Sequence, residues 1–310
     1  MLERKFRLKY EDDTVLNVDL FSKTIDIINR NKLPIGLRTL KTFNDLVKYL
    51  NARVPFSKGK NFPYLLYNMD IVLYTDALSL LDNYWVCSEL DNKVWKDVNL
   101  YTNVDEVALY GNVFAKKRNE KFYFEKRNNV DIELLCSDLL DILEVKHVKW
   151  FNYNNSACSE SVVTENIGLI GLDILVLDYT TDYLLHNWLD CETFWNLVVI
   201  SYIFQNDDLD LMNVNFYVNK QSNQILDMSD LYDLNKAFDS EYDLKDISLL
   251  VISNEELLHL GKKYSTLIFN KLKDYLIESG IKDRFKIIFG SLFEYDGLLN
   301  RIEVYNNLDI

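Results

Sequence analysis

Apolar positions fall into distinct patterns along this chain, and each pattern predicts a different element. From Phe194 to Phe204 they stand on every side of a helical wheel (Trp195, Leu197, Val198, Val199, Ile200, Ile203), which predicts a helix over 194–206 buried all round. From Val130 to Leu143 they recur as a stripe of Ile132, Leu135, Leu139 and Ile142 or Leu143, which predicts an amphipathic helix with Glu133 in its first turn. From Tyr110 to Lys126 they alternate with polar residues, which predicts two strands around a turn at Arg118-Asn119-Glu120. Val214 to Val218 reads as a further strand, and the polar run Asn219 to Gln224 as the turn of a hairpin that continues into Ile225 to Leu234.

The remaining segments are read in the same way. The first fifty residues suggest a short strand region followed by helices, with helical spacing over Ser22–Arg30 and Leu40–Leu50. Thr42 or Asn44 offers a cap for the second. Residues 51–63 read as a loop, in which Arg53, Lys58 and Lys60 are either an exposed basic surface or a phosphate contact. Tyr84-Trp85-Val86 predicts a buried strand and Leu90 to Lys93 a turn, with Trp95 and Val98 packing back. Strands are expected over His147–Phe151 and near Leu169–Leu172. Helices are expected over Glu255–Gly261 and Lys263–Ser279, with Gly280 as a C-cap, and over Arg284–Phe293 and Leu298–Tyr305.

Composition narrows the class. The chain has 310 residues, enough for one large domain or two lobes, and 48% of them are apolar, enough for a sizeable core. A net charge of −14 argues against direct nucleic-acid binding, which needs a basic surface. The four cysteines (Cys87, Cys136, Cys158, Cys191) are scattered without a CxxC pair, and only His147, His186 and His259 accompany them. That speaks for free thiols in a reducing cytoplasm rather than a zinc site. The N-terminal residues lack an apolar signal core, and no apolar run has the length of a membrane span. The expected location is cytoplasmic, or secreted without a signal peptide.

Chemistry is concentrated around the hairpin. Asp208 is followed five residues on by Asn213, and Asp233 stands beyond the hairpin. Asp-x4-Asn is the spacing of a kinase catalytic loop, where the Asp takes the acceptor proton, the Asn holds a metal, and a later Asp holds the metal bridging the phosphates. Phosphoryl transfer needs oxygen ligands at fixed positions around magnesium, and a buried helix followed by a loop and a hairpin can supply them. The same residues also fit a solvated acidic loop. Lys126, at the end of a strand, is either a solvated lysine or a point charge for nucleotide phosphates. Glu133 either favours the helix dipole or pairs with Lys126.

The order of these pieces (strand pair, Lys, helix with Glu, strand, buried helix, Asp-x4-Asn, hairpin, Asp) resembles a two-lobed protein kinase. Locally the sequence is similar to the HipA-like serine/threonine kinases, in particular their compact bacterial and phage-type members. The stretch from Ala77 to Asn99, with Leu80-Leu81-Asp82-Asn83-Tyr84-Trp85 and Trp95-Lys96-Asp97, carries part of the likeness. The hairpin Gly111 to Lys126 carries another part, as do Ile132 to Leu140 with His147-Val148, and Ser156-Ala157-Cys158 with Val163-Thr164-Glu165-Asn166. The likeness runs from about residue 77 to 240. Asp208 and Asn213 match the family's Asp-Arg-His-x-x-Asn, and Asp233 within Leu231-Tyr232-Asp233 matches its metal aspartate. Leu209 and Asp210 replace the Arg and His, and Arg127 and Asn128 replace glycines that follow the nucleotide lysine.

The resemblance implies an α+β, two-lobed protein-kinase-like fold. It would have a mixed N-lobe with antiparallel sheet over 1–175, with 1–70 an extension or docking region, and a mainly helical C-lobe over 176–310. It implies ATP and Mg2+ as cofactors, with Lys126, Glu133 and Gly111 at the nucleotide, Asp208 as the catalytic residue, and Asn213 and Asp233 on the metal. It also implies a protein substrate and a partner of repressor or antitoxin type, with autophosphorylation on a Ser or Thr between 156 and 164 as an extension. The four central groups (Lys126, Asp208, Asn213, Asp233) are all kept, which favours retained activity; the lost Arg-His and glycines give the alternative, a pseudokinase, or a nucleotide-binding or interaction module without transfer.

Overall fold

The computed structural model describes residues 5–53, 75–108, 113–184, 187, 191–206, 209, 213–231, 234, 236–238, 254–278, 280–290 and 293–308. Lys5–Tyr10 (β1), Asp13–Asp19 (β2) and Thr24–Ile27 (β3) run antiparallel, and Tyr84–Ser88 (β4) joins β1, giving a sheet in the order β3-β2-β1-β4. The helix expected over Ser22–Arg30 is therefore partly a strand. Ile25 and Ile27 also satisfy a two-residue period, and pairing with Val18 and Leu16 selects that period over the helical one.

Phe43–Arg53 (α1) forms where Leu40–Leu50 predicted it. Thr42 Oγ1 accepts the Asp45 N–H at 3.2 Å while Asp45 Oδ2 accepts the Thr42 N–H at 2.8 Å, so both ends of the first turn are satisfied reciprocally. Arg53 corrects the loop reading. It is the last residue of α1, and its buried guanidinium donates to the carbonyls of Ala77 (2.9 Å) and Tyr84 (2.6 Å) and pairs with Asp82. The planar fork of arginine can serve several fixed acceptors at once, which a lysine could not. Lys58 and Lys60 lie outside the described residues. Trp85, Cys87 and Val98 cluster with Leu78 and Trp95, as the sequence predicted.

Farther along, Glu106–Ala108 (β5) pairs with Val113–Arg118 (β6), and a tight turn leads into Lys121–Lys126 (β7). Asn119 and Glu120 both have positive φ (49° and 65°), the type I′ geometry whose twist matches a two-residue hairpin. Then come Val130–Ile142 (α2), and Phe151–Tyr153 (β8) and Ser156–Glu160 (β9), a hairpin turned by Asn154 and Asn155 at φ 51° and 61°. Ile167–Gly171 (β10) and Leu172–Asp178 (α3) precede the buried helix Glu192–Phe204 (α4). Asn215–Asn219 (β11) and Gln224–Met228 (β12) complete a sheet in the order β10-β11-β12. Four helices finish the described chain: Asn254–Tyr264 (α5), Asn270–Glu278 (α6), Ile281–Phe289 (α7) and Tyr295–Asn306 (α8). Gly280, at φ 67°, is the turn between α6 and α7.

The chain clusters into two compact units. The first comprises residues 1–124, 161–180 and 215–227; the second comprises 125–160, 181–214 and 228–310. The first holds the β1–β4 sheet over a core that includes Phe6, Leu8, Leu16, Leu46 and Leu50. The second is built around α4, whose Val198, Val199, Ile200 and Ile203 are fully buried. Helix α5 comes close to α4 at Gly261, where a Cβ would stand 2.6 Å from Val199 Cγ2. Among the described residues no helix is long and apolar enough to cross a membrane.

Candidate functional site

Within the second unit, Lys126 and Glu133 form a buried ion pair. Lys126 is the last residue of β7. Asn129 then adopts the left-handed conformation (φ 52°), which turns the chain sharply into α2 and sets Glu133 in its first turn. The Lys126 Nζ lies 3.0 Å from Glu133 Oε2, with side chains 5% and 2% exposed. Glu125, the preceding residue of the strand, takes Arg127 Nε at 2.9 Å. Of the two readings open for Glu133, the pair with Lys126 is present, and Lys126 itself is buried rather than solvated.

A further group fixes the surroundings of the pair. The Lys126 Nζ stands 4.8 Å from the centroid of the Trp150 ring, a cation–π distance. Trp150 is held by its backbone, whose N–H donates to Ser137 Oγ at 3.1 Å. The Ser137 hydroxyl is hydrogen-bonded to His147 Nε2 (3.2 Å), and His147 Nδ1–H donates to the Val145 carbonyl (2.7 Å). Both ring nitrogens of His147 are thus hydrogen-bonded within this chain. The sequence marked His147 only as part of a motif and passed over Ser137 and Trp150. A polar Ser137 between buried positions of α2 is the one signal that was there to read.

Described residues that flank the metal-site candidates in sequence have fixed partners. Leu231 and Leu234, which flank Tyr232-Asp233, are tethered within this unit. The Val148 N–H donates to the Leu231 carbonyl at 2.8 Å, and the Cys136 thiol of α2 donates to the Leu234 carbonyl at 3.6 Å. Burial pushes the Cys136 thiol well above its ordinary pKa, so it stays a neutral donor. At the other end, α4 closes in a Schellman motif. Gln205 is left-handed (φ 50°, ψ 51°) and donates to Tyr202, and Asn206 donates to Ser201 at 2.9 Å. Arg301 of α8 adds a bond from Nε to the Ile203 carbonyl at 2.9 Å, a cation at the negative end of the helix. This fixes the C-terminal end of α4. Asn213 sits in the turn just before β11. Asp208, Asp233 and Gly111 lie outside the described residues.

No known family model and no curated protein matches the sequence. Solved structures do match. The chain is similar to a chain in the Shewanella oneidensis MR-1 toxin–antitoxin complex of HipA, HipB and operator DNA. That match has a TM-score of 0.52 and 12% identity and covers 98% of this chain and 100% of that one. It is also similar to the Helicobacter pylori proinflammatory kinase CtkA, with a TM-score of 0.43 and 14% identity, over 64% of this chain and 88% of that one. The full-length match, at 12% identity, shows the fold alone, which is α+β and kinase-like. The chain has the fold of the HipA-like kinases.

Proposed function

We propose that this chain is an ATP- and Mg2+-dependent serine/threonine protein kinase of HipA-like type. The observation that carries the reading is the buried Lys126–Glu133 pair, formed between a strand end and the first turn of the following helix. A buried ammonium paired with a carboxylate costs desolvation that a surface pair would avoid. An anionic ligand at that ammonium gives the arrangement a use. The donor set also fits: Asn213 and Asp233 offer the amide and carboxylate oxygens that magnesium prefers.

In this reading Lys126 holds α/β-phosphate oxygens and Glu133 keeps it oriented, with Gly111 also at the nucleotide. Asn213 and Asp233 hold Mg2+, which neutralises charge on the phosphates. Asp208 orients the acceptor hydroxyl and takes its proton as the new O–P bond forms and the bond to the ADP oxygen breaks. The acceptor is a protein hydroxyl, and a repressor or antitoxin is the expected partner, in keeping with HipB in the similar complex. For self-transfer, Ser156 and Ser159 are buried in β9 and Ser161 is half-buried with its hydroxyl bonded to the Val163 carbonyl, whereas Thr164 is exposed. Thr164 is therefore the favoured acceptor of the 156–164 segment.

A second reading is a pseudokinase that binds nucleotide without transfer. It is favoured by Leu209 and Asp210 where the family carries Arg-His, and by Arg127 and Asn128 in place of glycines. Intact-mass measurement after incubation with Mg-ATP, beside an Asp208→Ala control, tests both. A gain in phosphoryl mass absent from the control supports the kinase. No gain on the chain or on a candidate antitoxin, together with stabilisation by Mg-ATP of about 2.7 kcal/mol at a hundred times the dissociation constant, supports the pseudokinase. Neither gain nor stabilisation overturns both.

A further inference from the structure

We infer that Trp150 is a positioning residue for Lys126. Its ring face meets the ammonium at a cation–π distance, and Ser137 holds the backbone that carries that ring. The inference rests on the reading of Lys126 as the nucleotide lysine, but its test does not.

A lysine side chain has four rotatable bonds and a compact charge, so a carboxylate contact by itself restrains it in one direction. The Trp150 ring, 4.8 Å from Nζ, adds a second restraint because its negative face attracts the cation. The ring must itself be immobile for this to work. Trp150 is 9% exposed, and its backbone N–H is tied to Ser137 Oγ. Ser137 Oγ is in turn hydrogen-bonded to His147 Nε2 at 3.2 Å. Helix α2 therefore carries both anchors. Glu133 reaches Lys126 directly, and Ser137, one turn later, reaches it through Trp150. A shift of α2 would move both contacts together, so the ammonium follows the helix.

The test reads Lys126 itself. Purified full-length protein is acylated with acetic anhydride in the absence of nucleotide, and lysine labelling rates are measured by peptide mass spectrometry. Exposed Lys146 and buried Lys220 serve as internal references. Trp150→Leu removes the ring face, Trp150→Phe keeps an aromatic face, and Ser137→Ala frees the tether without touching the ring. Lys126 is expected to label several-fold faster in Trp150→Leu and in Ser137→Ala, with Trp150→Phe close to wild type and both reference lysines unchanged. An unchanged Lys126 rate in both variants overturns the inference. So does an acceleration that Lys220 shares in each, because the ring is then only a packing element. A wild-type protein that transfers no phosphoryl group sinks the kinase reading and leaves this outcome intact.

Discussion

The Lys126 ammonium and the Glu133 carboxylate meet at 3.0 Å in a place where neither has appreciable exposure to water. A pair of this kind is unequal in what its loss does. Removing one partner strands the other as a buried, uncompensated charge, at a cost of about 3–5 kcal/mol. Replacing both with apolar residues of similar volume avoids that penalty. Lys126→Met and Glu133→Leu should therefore each lower the unfolding free energy by about 3–5 kcal/mol, and the double variant by clearly less than their sum. Urea unfolding of the four proteins completes the cycle. Additive losses would mean that the two groups do not depend on one another.

Helix α5 can lie against α4 because residue 261 has no side chain. A methyl group at that position would stand 2.6 Å from Val199 Cγ2, shorter than real carbon contacts, so one helix or the valine must move. Gly261→Ala gains helix propensity of roughly 1 kcal/mol, yet overpacking costs about 1–3 kcal/mol. The expected result is a net loss of stability. Adding Val199→Ala should recover part of it, because it removes the atom that the methyl meets. Thermal unfolding of the single and double variants reads this directly, and a stabilised Gly261→Ala would contradict the close approach.

Lys220, in the first unit, predicts a pH dependence. Its Nζ donates to the Leu80 carbonyl at 2.6 Å and lies 4.4 Å from the Tyr101 ring centroid. Burial lowers its pKa to about 8, while Asp82 and Glu165 act in the opposite direction. Between that value and the unfolded pKa of about 10.4 the unfolded chain binds more protons, so this group adds stability as pH rises. Below about pH 8 both states are charged and the burial penalty is carried in full. Relative to Lys220→Met, the wild type should gain about 1.4 kcal/mol per pH unit from about pH 8 to 10. Taking the difference between the two proteins removes the contribution of tyrosines titrating in the same range. A flat difference across that window would contradict the lowered pKa.

The parts that are legible in the sequence are those set by short-range pattern. The all-round apolar run of α4, the stripe of α2 and the alternation of β6 and β7 each announce an element, and the Lys126–Glu133 pairing is among the readings they leave open. Ser22–Arg30 misleads because isoleucines at 25, 27 and 28 suit either period, and the partner strand that decides lies elsewhere in the chain. Arg53 misleads for a similar reason. Its acceptors, Ala77, Asp82 and Tyr84, are distant in the chain, and nothing local points to them. Trp150 belongs with these cases, since its contact to Lys126 spans a helix and a turn.

The exit from α4 gives the last prediction. Gln205 holds the left-handed position of the Schellman motif, where a Cβ crowds the following carbonyl by roughly 1–2 kcal/mol. Glycine has no such penalty, though it gives up about 0.5–1 kcal/mol through the freer unfolded chain. Gln205→Gly should thus be neutral to stabilising by about 1 kcal/mol, whereas Gln205→Ala keeps the strain and gains nothing. The order glycine above alanine is the reverse of that expected inside a helix, so chemical denaturation of the two variants discriminates sharply. Alanine above glycine would mean that the helix runs on through residue 205.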